Sequence, residues 1–202
     1  MKPLHLFFVL FLLFANVLQV SSAVRYVKSG ATGNGNSWTS ASGDLQAIIN
    51  ESSNGDQIWV AAGTYIPNRQ INSLNVIASG SRNNAFVVSK NIQLYGGFAG
   101  LETDIDEREG SDNQTILSGA VGSGNSYHVL LFANGCDALF DGFTITGGNA
   151  DGNTPVVING KEYRQNVGGG ILIMHSSPRI NNVIIRDNSA VHGGGIAKPQ
   201  KE

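Results

Sequence analysis

The sequence predicts an all-β chain wound as a right-handed parallel β-helix, a solenoid with a short capping helix at its N-terminal end. Three observations point there. Glycine occupies 26 of 202 positions, among short runs of Val, Ile, Leu and Phe. One tract repeats without a gap at an offset of 40, and the string GGGI recurs after 25 residues. Short β-branched and aromatic runs closed by Gly, Asn or Ser make many short strands and tight turns. A disordered chain would carry fewer such residues.

A basic start at Lys2 leads into an apolar run over residues 6–14, which Asn16 and Gln19 interrupt before it is long enough to span a bilayer. Ser21-Ser22-Ala23 then supplies small residues at the positions a signal peptidase reads. Residues 1–23 therefore read as a signal peptide cleaved between Ala23 and Val24, and the exported domain as residues 24–202, with no transmembrane span. Without Lys2 the mature chain holds 12 basic and 15 acidic residues, about −3, which excludes the basic footprint of a nucleic-acid binder. The lone Cys136 excludes an internal disulfide and reads as a small buried side chain.

The mature chain opens with a strand over 25–27 and a polar loop over 29–37. One helix follows: Asp44 caps it, and Leu45, Ile48 and Ile49 form a single apolar stripe. It stops at Asn54-Gly55-Asp56, and short strands take over at 57–61, 85–89, 91–95, 114–117, 127–132, 138–145, 170–174 and 183–186.

Internal repetition separates a solenoid from a sandwich or barrel. VLLFANGCDALFDGFTITGGNA, from Val129, lies over GGILIMHSSPRINNVIIRDNSA, from Gly169, so that Phe140, Phe143 and Ile145 coincide with Ile180, Val183 and Ile185. A coil of about 25 residues plus a polar insertion over 151–166 accounts for both spacings. Such a coil cannot bury a face alone, but coils stacked about 4.8 Å apart set like on like. Gly168, Gly169 and Gly170 then lie over Gly193, Gly194 and Gly195 at one corner, and Asn181, Asn182 and Asn188 serve as turn formers.

Three segments resemble the secreted bacterial right-handed β-helix repeat proteins of the pectin-lyase-like superfamily. DLQAIINESSNGDQIWVAAGTYIP looks like that family's helix-then-strand opening, and LYGGFAGLETDIDEREGSDNQTILSG like a block of its large surface-located members. IIRDNSAVHGGGI is similar to the repeat of polymorphic outer-membrane proteins and adhesin-like passengers. The resemblance implies a cell-surface or extracellular location. The chain stops in mid-repeat without a capping element, so the sequence reads as an N-terminal fragment of a longer solenoid.

The same scaffold carries lyases, hydrolases and non-catalytic surface proteins. A lyase needs clustered carboxylates for Ca2+ and a basic residue beside them; the nearest candidates are Glu102, Asp104, Asp106, Glu107 and Glu109 with Arg108, which read as a solvated loop. A hydrolase needs Asp residues in concert, whereas Asp137, Asp141, Asp151 and Asp187 are isolated. His128, His175 and His192 lack metal-binding spacing and read as surface turn residues, so no cofactor is expected. The aromatics Trp38 and Tyr163 are candidates to stack on sugar rings, and the 151–166 insertion is the natural recognition loop. The expected function is thus a non-catalytic scaffold contacting cell-surface polysaccharide or protein. The alternative is a polysaccharide lyase or glycoside hydrolase whose catalytic coils lie mostly beyond Glu202, where alone Ca2+ would enter.

Overall fold

The computed structural model describes residues 22–199 apart from 123 and 159. Most of the expected signal peptide lies outside them. At the expected cleavage point Ala23 donates its N–H to Asp56 Oδ1 (2.9 Å) and accepts from the Gln57 N–H (2.8 Å). Strand β1 (Val24–Val27) begins with the next residue.

The helix forms where its cap and stripe place it. In α1 (Leu45–Glu51) the Asp44 carboxylate accepts from the Ala47 N–H at 2.9 Å, and Leu45, Ile48 and Ile49 are buried. Burial works to raise the Asp44 carboxyl, but the Arg69 guanidinium 2.7 Å away and the helix N–H outweigh it and hold the group below its ordinary value.

The strands follow one another in a fixed rotation. β2 (Gln57–Ala61) and β3 (Gly63–Tyr65) lead to β4 (Phe86–Val88), then come β5 (Gln93–Phe98), β6 (Thr115–Ser118) and β7 (Leu130–Phe132). β8 (Leu139–Asp141), β9 (Phe143–Thr146) and β10 (Asn149–Ala150) precede the pair β11 (Val156–Ile158) and β12 (Lys161–Tyr163). The chain closes with β13 (Ile171–Ile173), β14 (Arg179–Asn181), β15 (Ile184–Ile185), β16 (Ser189–Ala190) and β17 (Ile196–Ala197). Three parallel sheets result, ordered β1-β2-β5-β8-β14, β3-β6-β9-β15 and β4-β7-β13-β17, with a two-stranded parallel sheet β10-β16. Isolated bridges apart, the one antiparallel pair of strands among the described residues is the hairpin β11-β12, inside the expected insertion. Among the described residues the fold is therefore all-β, with parallel sheets and a single α-helix.

Register turns the sequence repeat into columns. Ile58, Leu94, Phe140 and Ile180 stand side by side in the first sheet, Leu117, Ile145 and Ile185 in the second, and Phe86, Leu130, Ile171 and Ile196 in the third. All of these side chains except Ile196, which is 43% exposed, meet in one apolar cluster, where Phe140 stacks on Phe143 at 4.2 Å between centroids. Each fully buried Leu, Ile or Phe contributes about 1.5–3 kcal/mol by leaving water.

At the glycine corner, Gly170 N–H donates to Gly194 O (2.9 Å) and Ile171 N–H to Gly195 O (2.8 Å). Gly168 and Gly193 have φ of +71° and +62°, and a Cβ on Gly169 would stand 2.1 Å from the Ser189 carbonyl oxygen. Two expectations change in detail. Leu130 pairs with Ile171 rather than Gly170, while Leu139 pairs with Arg179, so the repeat carries a one-residue slip in the turn between these strands. The single strand expected over 138–145 is broken at Gly142, whose φ of +82° bends β8 into β9.

Candidate ligand cleft on the lateral face

Alternation along the strands gives the third sheet two apolar faces. Phe86, Leu130 and Ile171 point into the core, whereas Val87, Leu131, Leu172 and Ala197, paired in register, form a row on the outer face. Outward apolar residues need a cover, and two segments supply it: the loop carrying Ile71 and Leu74, and the hairpin β11-β12 with Val156, Ile158 and Tyr163.

The hairpin is fastened at its root. Gln165 donates its side-chain amide to Asn83 Oδ1 (2.6 Å), and Gly152 N–H donates to Gln165 O (3.2 Å). Arg82 lies over the Tyr127 ring at 4.2 Å, donates to Asn149 O (2.9 Å) and pairs with Asp151. That hydrogen bond from Arg82 holds the Asp151 carboxyl below its usual range. On the far side Val167 bridges His192, whose N–H donates to Asn166 O at 3.0 Å.

Between the hairpin and the last two strands of this sheet lies an open cleft of about 680 Å3. Val167, Leu172, Met174 and Ala197 give it an apolar lining; Lys161, Glu162, Arg164, His175, His192 and Lys198 form its polar rim. A smaller hollow of about 210 Å3 lies over Val87 and Leu131, lined by Ile71, Leu74, Ile158 and Tyr163.

The expected stacking platforms are not presented to a ligand. Tyr163 is 1% exposed and packs with the outer-face row, because the hairpin needs an apolar anchor where it meets the sheet. Trp38 is half-buried, donates its indole N–H to Glu102 O (2.9 Å) and packs edge-on to Tyr26 at 4.9 Å, in a cluster with Trp59, Tyr95 and Phe98. His128 departs from its expected surface position: it is 3% exposed. Its Nδ1 lies 2.9 Å from the Gly168 carbonyl, which can only accept, so that nitrogen carries the proton. Nε2 is buried with no partner, and burial pushes the imidazole down to about 4. Cys136 is buried, its thiol pushed up by burial.

Several of the carboxylates set out as catalytic candidates make structural contacts. Burial acts to raise Glu102, but the N–H groups of Ala99, Leu101 and Gly100 aimed at it hold it below its ordinary value. Asp104 and Glu107 form a capping box around a single 3-10 turn, Ile105–Glu107. Asp141 pairs with Arg108 at 2.8 Å and accepts from Asn182, and Asp187 pairs with Arg186. Among the described residues no group of three or more His, Cys, Asp or Glu side chains is placed to hold a metal ion, and no helix is long and apolar enough to cross a membrane.

The molecule thus belongs to the class of all-β proteins built from stacked parallel strands, with a lateral cleft between a sheet face and an inserted hairpin. No protein family, curated protein or solved structure matches the chain.

Proposed function

We propose that this chain is an exported right-handed parallel β-helix that binds a polysaccharide or protein through its lateral face, at the cell surface or outside the cell, without catalysing a reaction. The solenoid reading is supported by the rotation of the chain through three parallel sheets, strand upon strand in register. Parallel crossovers in a sheet are right-handed in about 98% of cases, which supplies the hand. The motifs that resemble the pectin-lyase-like repeat proteins fit this winding, and kinship with them is part of the proposal. Export rests on the apolar leader and the small residues before Val24.

The observation that carries the binding reading is the cleft: an apolar floor under a polar rim, framed by a hairpin bolted to a rigid scaffold. Among the described residues Glu162 is the only carboxylate that lines it, so no pair of carboxylates faces across it as a glycoside hydrolase needs. The test incubates the mature chain with arrays of polysaccharides and of extracellular proteins, assaying bound material and newly released sugar ends in parallel. Retention of a ligand without product is expected. Cleavage of a polysaccharide would overturn the non-catalytic reading.

A further inference from the structure

Pairing in register sets two glutamines side by side on the outer face of the first sheet. Gln57 of β2 stands beside Gln93 of β5, and Leu139 and then Arg179 continue the row. Both β2 and β5 are interior strands, so the glutamine pair is a feature of the sheet's face rather than of its margin. Each glutamine is oriented by an aromatic partner two residues along its own strand. The Trp59 indole N–H, which can only donate, gives its proton to Gln57 Oε1 (2.9 Å), and the Tyr95 hydroxyl donates to Gln93 Oε1 (2.7 Å). The amide oxygens are thereby turned onto the aromatic side chains. The two NH2 groups are left open to solvent without an acceptor among the described residues, on strands about 4.8 Å apart. Arg179 is exposed and forms no ion pair among the described residues. Its charge reaches the same spot, since burial raises the Tyr95 hydroxyl while the Arg108 and Arg179 guanidiniums act against that rise. The carboxylate beside Tyr95, Asp141, is already matched by Arg108 at 2.8 Å.

We infer that this row binds a small organic acid in its ionised form, the carboxylate accepting from the Gln57 and Gln93 amides and from the Arg179 guanidinium. A carboxylate offers about four acceptor positions, enough for one bond from each amide and two from the guanidinium fork. Donors alone are presented, and the single unmatched positive charge suits a monoanion. Leu139, half-buried between Gln93 and Arg179, adds an apolar contact for the acid's carbon skeleton. The row lies on a different sheet from the cleft, so it stands or falls apart from the ligand proposed there.

The chain holds two tryptophans, which supply a reporter and its control. Trp59 shares the Gln57 amide with the bound carboxylate, so polarisation of that amide moves its indole N–H signal. Trp38 donates to Glu102 O instead and has no such link. The mature chain, labelled with 15N, is titrated with butyrate, with glucuronate and with neutral butanol. Both carboxylates are expected to shift the Trp59 signal and not that of Trp38, with millimolar affinity, and butanol to shift neither. Tighter binding of butyrate would support the site with a free aliphatic acid as its ligand, and tighter binding of glucuronate would support it with an acidic sugar. With unchanged circular dichroism, Arg179→Gln should weaken binding roughly tenfold. Gln93→Glu keeps an acceptor for the Tyr95 hydroxyl but replaces the donor by a like charge, and should abolish binding. An unmoved Trp59 signal with both carboxylates, an equal shift with butanol, or the parent affinity in both variants would overturn the inference.

Discussion

Single residues decide where this chain turns. Turn positions that follow paired parallel strands share the left-handed conformation even where the residue type changes: Asn134 (φ 60°) faces His175 (φ 51°), Gly142 faces Asn182 (φ 49°), and Gly147 faces Asp187 (φ 56°). Asn, Asp and His are the non-glycine residues that enter this region most readily, so the backbone demand is met without glycine each time. The inward residue His128 sets a pH dependence. Burial holds its folded value at about 4 against 6.5 for the free side chain. As pH falls, the unfolded chain takes up the proton first, so stability is complete above 6.5, declines through the window from 6.5 to 4, and levels below. The loss is at most on the order of 3 kcal/mol. Asp44 and Glu102, held below their ordinary values, withdraw their contributions only in and below the ordinary carboxylate range. Urea unfolding across this window should show midpoints falling with pH, and a His128→Gln variant should flatten the slope. An equal slope in both proteins would remove His128 as its cause.

At the level of elements, the N-terminal end is closed by side chains standing in for a strand. Gln46 on α1 accepts from the Val87 N–H at 2.8 Å and donates to the Val87 carbonyl at 3.1 Å, so one amide satisfies the outer edge of β4. The edge of β1 is met by backbone instead, with Tyr26 N–H donating to Gly35 O and Ser42 N–H to Tyr26 O. A Gln46→Leu substitution keeps the volume and removes both bonds. It should cost about 1–3 kcal/mol for each Val87 group left buried and unpaired. Hydrogen exchange at Val87 and chemical denaturation check this, and a midpoint within error of the parent protein would rule it out. The helix was legible from its apolar stripe because one face meets one core. Gln46 was not, because its polar side chain sits on the buried side for the sake of a strand 41 positions away in sequence. The hairpin escaped for a related reason: Lys161-Glu162-Tyr163 alternates too briefly to signal a strand, and Tyr163 is apolar cover for an outer row visible only once Leu131 and Leu172 are paired.

For the whole molecule, the sequence repeat announced parallel stacking because each strand must present apolar residues where its neighbour in the sheet does. The cleft stayed hidden because Lys161, His175 and Lys198 come from three segments that only the stacking brings to one rim. Stacked parallel strands also distribute stability unevenly, since each strand pairs only with its neighbours in the sheet and the sum depends on how well both faces are covered. Phe132 and Phe140 are fully buried in the main apolar cluster, to which α1 contributes Leu45, Ile48 and Ile49. At the opposite end Ile184 is 59% and Ile196 43% exposed, and Ile180, Val183 and Ile185 are only partly buried. An exposed apolar side chain gives back most of what burial contributes, so openings that release β14 to β17 need less free energy than those that break β5, β7 and β8. Native-state hydrogen exchange should therefore protect the amides of Leu94, Phe132 and Phe140 most strongly, with protection falling toward Ile185 and Ala197. Ligand bound in the lateral cleft should raise protection in β13 and β17 before it affects β5. Uniform protection from β5 to β17 in the free chain would mean that it opens as one cooperative unit, against the graded stacking argued from these burials.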